Sequence, residues 1–234
     1  MKLAILDDDR DHNAHLAWLF GEAGHQSQCF DNAAGFIRFL QRETVDLLVL
    51  DWTLPASSGL EVLNWARANL PAGLPVLMVT SRAADEDMLA GFAAGADDYV
   101  IKPVQPAILR ARVDALLRRA YPLPATDGPE TFGHYVFDPA LQTVRAGDET
   151  LSLTAKEFQL ALAMFRNLSR ALSRGYLLET VWGKNPDLPT RTLDAHISRV
   201  RLKLGLRPQN GFRLSTVYSY GYRLEQLETG EERE

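Results

Sequence analysis

Short apolar runs punctuate the first half of the chain at Leu3–Leu6, Gln26–Phe30, Leu47–Leu50, Val76–Val79 and Tyr99–Ile101, and a longer stretch with helical spacing follows each one. The third and fourth runs are apolar at consecutive positions, the pattern of strands covered by helices on both faces. Five rounds of strand and helix predict an α/β fold, an open doubly wound parallel sheet of five strands. The fifth helix is predicted from Pro106 to about Arg119. YPLPATDGPE, residues 121–130, then breaks the pattern with three prolines and a glycine and reads as a linker.

Alternation replaces helical spacing beyond it. HYVFD, ALQTVR and ETLSL are separated by Asp138-Pro139 and Ala146-Gly147-Asp148, which predicts an antiparallel meander. Thr154 and Glu157 have the spacing of a capping box and open the helix FQLALAMF, Ser173 and Thr190 can cap two more, and Gly205 can end the last. GFRLSTV and GYRL then flank the turn Tyr218-Ser219-Tyr220-Gly221, giving a terminal hairpin. Three helices followed by a hairpin is a winged helix-turn-helix layout of the α+β class. The expected domains are therefore 1–120 and 131–226, with an acidic tail over 227–234 expected to be disordered.

A chain of 234 residues is long enough for two cores. Its net charge of −5 belongs to the first half, where residues 1–120 carry 11 Lys and Arg against 16 Asp and Glu, while the second half is neutral. Cys29 has no partner for a disulfide or a thiolate metal site, which fits a reducing compartment. No apolar run approaches the ~18 residues that cross a bilayer, and the first residues turn acidic at Asp7, so a soluble cytoplasmic protein with no membrane partner is expected.

Candidate chemistry gathers at the ends of the first-half runs. Asp7-Asp8-Asp9 follows the first, Asp51 the third, Thr80 the fourth and Lys102 the fifth. In open parallel sheets these ends meet in one crevice. Convergent carboxylates resist ionising unless a cation neutralises them, and oxygen donors without His or Cys favour Mg²⁺. Taken alone, the Asp triplet reads equally well as a solvated turn with Asp9 or Asp11 capping the next helix. His12 and His15, three residues apart on that helix, read as exposed rather than as a metal pair.

ILDDD, LDWTLPASSGLEVL, VTSR and GADDYVIKP, followed by RTLDAHISRVRLKL and TVYSYGYRL, resemble bacterial two-component response regulators of the OmpR/PhoB subfamily, whose receiver has a flavodoxin-like fold. The resemblance covers nearly the whole chain. It implies that Asp51 is the phosphoacceptor for a sensor histidine kinase, that Asp7, Asp8, Asp51 and the Thr53 backbone carbonyl hold Mg²⁺, and that Lys102 and Thr80 contact the phosphoryl group. It also implies a cis Lys102-Pro103 bond, and an inward rotation of Tyr99 on phosphorylation. Ser81 stands where the family commonly has alanine beside the phosphoryl site, Arg82 and Thr53 occupy positions that tune access of attacking water, and Trp52 is placed to report Mg²⁺ by quenching.

The same resemblance implies a homodimer formed on phosphorylation through the face of the fourth helix, fifth strand and fifth helix. Asp97, Asp98, Arg112 and Arg119 match its charges, while Ala90 and Ile108 stand where an ion pair is usual. In the second half, Leu193, Ile197, Val200 and Leu204 form one apolar stripe and turn Arg191, Ala195, Ser198 and Arg199 outward. As a bare pattern such a face is simply solvated. The resemblance makes it a reader of promoter DNA: Arg199 on base edges, Thr192, His196, Arg201 and Trp182 on the backbone, with Arg191, Lys203, Thr216 and Tyr218 also at the interface. RNA polymerase is the implied further partner. Ser198 replaces a basic residue frequent in the family, and the wing residues Tyr218-Ser219-Tyr220 stand where an Arg-Gly-Thr-like run is usual, with its arginine in the minor groove.

Two other classes remain open on sequence alone. A haloacid-dehalogenase-like phosphohydrolase also places an Asp after a buried strand, although it needs a second Asp where this chain has Thr53. A DNA-binding regulator whose receiver works without phosphate is the other. The leading expectation is a regulator that is not an enzyme beyond slow self-dephosphorylation.

Overall fold

The computed structural model describes residues 1–122, 128–183 and 190–227, with the Thr190 side chain outside that set. They form two compact units, the first built mainly from Met1–Gln41 and Val45–Leu123 and the second from the residues that follow.

The first unit runs β1 (Lys2–Leu6), α1 (Arg10–Glu22), β2 (Gln26–Phe30), α2 (Ala33–Leu40), β3 (Leu47–Leu50), a small hairpin β4 (Thr53–Leu54) and β5 (Ser57–Ser58), α3 (Gly59–Asn69), β6 (Val76–Thr80), α4 (Asp85–Ala93), β7 (Asp98–Ile101) and α5 (Pro106–Ala120). The main sheet has the order β2-β1-β3-β6-β7 and every pairing is parallel. Successive residues of a strand face opposite sides. Leu48, Leu50 and Met78 accordingly join one apolar cluster with Val62 of α3, while Leu47, Val49 and Leu77 join another with Val113 of α5. That two-sided burial is why β3 and β6 read as continuous apolar runs. Each fully buried Leu or Val there contributes about 1.5–3 kcal/mol.

The order in which strands are added reverses between β1 and β3, because β2 is added on one side and β6 on the other. A crevice opens at the carboxyl ends of strands at such a point, so the residues just after β1 and β3 line it. Helix starts are locally fixed. Asp9 caps α1 by accepting from the Asp11 and His12 amides, and Ser58 with Glu61 forms a capping box on α3.

The second unit contains β8 (Glu130–Phe132), β9 (Tyr135–Asp138), β10 (Thr143–Ala146), β11 (Glu149–Leu151), α6 (Ala155–Phe165), β12 (Ala171–Ser173), α7 (Arg174–Trp182), α8 (Thr190–Lys203), a single 3₁₀ turn (Pro208–Asn210), β13 (Phe212–Val217) and β14 (Gly221–Gln226). The meander is a four-stranded antiparallel sheet, and its first strand begins at Glu130, inside the segment read as linker. The terminal hairpin gains a third strand, β12, paired with β14. Thr154 and Glu157 form the expected capping box, Ser173 caps α7 by accepting from the Tyr176 amide, and Gly205 follows α8 at φ 57°. The cap expected at Thr190 and the tail over 228–234 lie outside the described residues.

Phe137, Phe158, Phe165, Phe212 and Tyr135 form an aromatic centre beneath the helices, with neighbouring ring centroids 4.9–5.8 Å apart. The Tyr135 hydroxyl donates to the Leu204 carbonyl, so the polar end of this buried ring is satisfied at the end of α8. Leu193, Ile197, Val200 and Leu204 are all buried against this core, as their spacing predicts.

Candidate functional site

Asp7 and Asp8 leave β1, Asp51 leaves β3 and Lys102 leaves β7, and the fold brings them together. Carboxylate oxygens of Asp7, Asp8 and Asp51 all lie within 4.8 Å of one another. Asp7 and Asp51 are buried and Asp8 is exposed, so the group opens to solvent on one side. Lys102 Nζ donates to Asp7 Oδ2 at 2.6 Å and to Asp51 Oδ2 at 2.8 Å. The Lys102-Pro103 bond is cis.

Electrostatics favour the charged forms of Asp7 and Lys102. Burial disfavours the Asp7 carboxylate, yet hydrogen bonds from His12, Lys102 and the Asp9 amide outweigh it and hold the group below its ordinary pKa. Burial likewise disfavours the Lys102 ammonium, and the two carboxylates outweigh it, holding its pKa above the ordinary value. Lys102 pairs with Asp7 and Asp51, while the Asp8 carboxylate stands on the exposed side of the group.

His12 is a member of this pocket. Its Nδ1 donates to Asp7 Oδ2 at 2.6 Å, which corrects the expectation of an exposed helix residue. Asn13 donates to the Asp7 backbone carbonyl at 2.6 Å. Side chains in the first turns of a helix lean toward its N-terminus, and the N-terminus of α1 abuts the end of β1. His15 is exposed, as expected.

Around the pocket, Thr80 is fully buried and its hydroxyl accepts from the Arg82 amide at 3.4 Å. Thr53 donates its amide to Asp51 Oδ1 at 3.1 Å. Trp52 is buried, with the Arg82 guanidinium 5.3 Å from its ring centroid. Tyr99 already stands inward, 6% exposed, and its hydroxyl donates to the Arg82 carbonyl at 3.0 Å. Gly91 of α4 gives it room, since a Cβ there would lie 3.2 Å from the ring.

Asp97, Asp98, Ile108, Arg112 and Arg119 line one groove of about 510 Å³ beside α5. Asp98 accepts from Arg112 at 2.8 Å. Asp97 is held by Arg67 at 2.7 Å and by the Val76 amide at 2.8 Å, so it is tied into its own domain rather than offered as a free charge to a second copy. Ile108 is exposed, whereas Ala90 is half-buried against the core.

On α8, Arg191, Ala195, Ser198, Arg199 and Leu202 are exposed. His196 donates to the Thr192 carbonyl at 2.8 Å and meets the Trp182 ring edge-on at 5.1 Å. Arg201 donates to the Leu214 carbonyl at 3.2 Å. Lys203 binds the buried Glu157 carboxylate at 2.7 Å, so its ammonium is engaged with the α6 capping box. Asp194 accepts from Tyr222 at 2.5 Å and from Arg174 at 3.4 Å, anchoring α8 to β14 and α7. Thr216 is exposed on β13, and Tyr218 is 94% exposed at the hairpin tip, beside Ser219 at φ 56°.

Residues 3–114 match the response regulator receiver domain, and residues 148–224 match the C-terminal domain of transcriptional regulatory proteins. The chain belongs to the response regulators of the OmpR/PhoB subfamily. The sensory transduction protein RegX3 of Mycolicibacterium smegmatis is 35% identical over 224 residues, 94% of this chain and 97% of the relative. The transcriptional regulatory protein AfsQ1 of Streptomyces coelicolor is 35% identical over 223 residues, 95% and 97% of the two chains. The phosphate regulon regulator PhoB of Escherichia coli is 33% identical over 224 residues, 95% and 96% of the two chains.

This response regulator is therefore a phosphorylation-dependent transcription regulator and not an enzyme in the ordinary sense, which sets aside the phosphohydrolase. Among its described residues no helix is long and apolar enough to cross a membrane.

Proposed function

We propose that Asp51 accepts a phosphoryl group from the phosphohistidine of a sensor histidine kinase, and that the acyl phosphate favours a homodimer that binds promoter DNA. In the transfer an Asp51 carboxylate oxygen bonds to phosphorus as the phosphorus–nitrogen bond breaks, and its electron pair returns to the imidazole. The observation that carries the reading is convergence: Asp7 and Asp51, 44 positions apart in sequence, both accept from the Lys102 ammonium. Slow self-dephosphorylation is the only catalysis assigned to the chain.

Three carboxylates within 4.8 Å, with no thiolate among them, suit a hard divalent cation. Asp7, Asp8, Asp51 and the Thr53 backbone carbonyl are the proposed Mg²⁺ ligands, with His12 orienting Asp7. Bound there, Mg²⁺ offsets negative charge on the phosphoryl oxygens. Lys102 supplies the second positive charge and Thr80 a hydroxyl donor. Tyr99, held inward by the Arg82 carbonyl, couples the pocket to the face of α4, β7 and α5.

That face is the proposed dimer contact. Ala90 and Ile108 substitute apolar area for an exposed ion pair worth only ~0–1 kcal/mol, flanked by Asp98, Arg112 and Arg119. The proposed DNA contacts are Arg199 on base edges, Arg191, Thr192, His196, Arg201 and Trp182 on the backbone, and Thr216 and Tyr218 from the hairpin. The bound dimer presents itself to RNA polymerase, in the compartment that holds the chromosome.

Incubation with acetyl phosphate and Mg²⁺ followed by intact mass measurement tests the phosphoacceptor. One phosphoryl group per chain is expected on the wild type and none on Asp51→Asn. The same label on the variant rejects the site.

A further inference from the structure

The side chains opposite the buried stripe of α8 belong to Ala195, Arg199 and Leu202. At 3.6 residues per turn these three fall in one line pointing away from the core, with Arg191 and Ser198 beside them. Leu202 is 71% exposed. A leucine at the end of a solvent-facing stripe does nothing for the core beneath it, which is closed by Val200 and Leu204 on the opposite side. Ala195 lies seven positions before it and Arg199 between them. The cations that flank the line at its C-terminal end are already engaged, Arg201 with the Leu214 carbonyl and Lys203 with Glu157. The exposed line is thus apolar, cationic and apolar again.

This rests on the reading of the second unit as the DNA-binding half. We infer that Ala195 and Leu202 read thymine 5-methyl groups on either side of the base that Arg199 reads. Thymine alone among the four bases presents a methyl group in the major groove, and apolar side chains recognise it; an arginine between them suits the O6 and N7 acceptors of guanine. Seven residues of helix span roughly 10 Å at 1.5 Å each, and bases along a strand are ~3.4 Å apart. The preferred half-site therefore carries two thymine methyls on the order of three base steps apart, with a guanine between. The occupant is duplex DNA rather than a second protein because the Arg199 guanidinium lies in the same line and Arg191 on the same face, and both complement a phosphate-lined groove.

The test uses the full chain, phosphorylated with acetyl phosphate. Bound sequences are first selected from a random DNA pool, and each thymine of the selected site is then replaced by uracil, which deletes only the methyl group. Uracil at one of two positions is expected to weaken binding about three- to tenfold, and the penalty at one of them is expected to vanish in Leu202→Ala. Uracil tolerated at every position, or a penalty unchanged in Leu202→Ala, overturns the inference while leaving DNA binding intact. Failure to select any sequence overturns both the inference and the DNA-binding reading. If Leu202→Ala instead lowers self-association or polymerase recruitment with its base preference unchanged, the side chain serves a protein contact and the inference falls.

Discussion

In the receiver, carboxylates and an ammonium from three strand ends share one small volume, whereas along α8 the cations stand apart and several are bound within their own domain. Asp7 and Asp51 are buried and share Lys102. Lys203 closes on Glu157, Arg201 on a backbone carbonyl, and Arg199 has no partner among the described residues. The comparison teaches that charge count is a poor guide to function in this chain. Buried carboxylates crowded around one ammonium mark the pocket, and exposure without a partner marks the reader.

The sharpest break of that comparison is at Asp51. Asp51→Asn removes the negative charge and the phosphate-accepting oxygen together, so complete loss of label from acetyl phosphate is expected, with residual unphosphorylated DNA binding unaffected in a gel-shift titration. Loss of that residual binding as well would place Asp51 in the fold of the chain rather than in its switch.

Next in size is the backbone crossing that holds Asp51 in place. Gly59, the first residue of α3, donates its amide to the Trp52 carbonyl at 2.8 Å, and a Cβ on it would fall 1.9 Å from the Asp51 carbonyl oxygen. No rotamer change relieves a clash with backbone. Gly59→Ala is expected to cost about 3 kcal/mol in urea denaturation and to slow phosphoryl uptake in the fraction that folds. Wild-type stability would mean that the α3 start is freer to move than this crossing allows.

On the DNA side the comparison separates three cations that look alike in sequence. Arg199→Ala is expected to cost ~1–3 kcal/mol and to relax base preference. Arg201→Ala is expected to weaken all sequences alike and to flatten the salt dependence by less than one full phosphate contact, because its Nε is already committed to Leu214. Lys203→Ala is expected to leave affinity and salt slope unchanged. A salt slope reduced by a full unit in Lys203→Ala would return that residue to the interface.

The receiver was legible because its strands are buried on both faces and because strand-end residues of a parallel sheet converge whatever lies between them. The meeting of Asp7, Asp51 and Lys102 was visible on that ground alone. His12 was not, since a histidine three residues past a helix cap is ordinarily solvated, and only the lean of the first turn of α1 over β1 brings it to Asp7. β12 was hidden for a different reason: three residues are too few for alternation to register. The Lys203–Glu157 pair was hidden because the two residues lie 46 positions apart, on helices whose separation no local pattern encodes. Gly59 carried no signal beyond its being a glycine before an amphipathic helix.

The smallest expected effect tests the α6 anchor itself. Burial works against the Glu157 carboxylate, but Lys203 and the Thr154 amide and hydroxyl outweigh it, so its pKa in the fold lies below the ordinary value. A group held lower when folded than when unfolded stabilises the protein above its unfolded pKa, near 4.3 for Glu, and that contribution disappears as pH falls through the folded value. Glu157→Gln keeps the size of the side chain and its reach to the Thr154 amide but removes the charge that holds Lys203. At pH 7 the variant is expected to lose about 1 kcal/mol of protection in α6, read by hydrogen exchange corrected for intrinsic rates. The gap between wild type and variant should then narrow below about pH 4, since the wild-type carboxyl becomes neutral as well. A gap that holds constant down to pH 3 would assign the loss to shape rather than to charge, and Lys203 would again be available to the DNA.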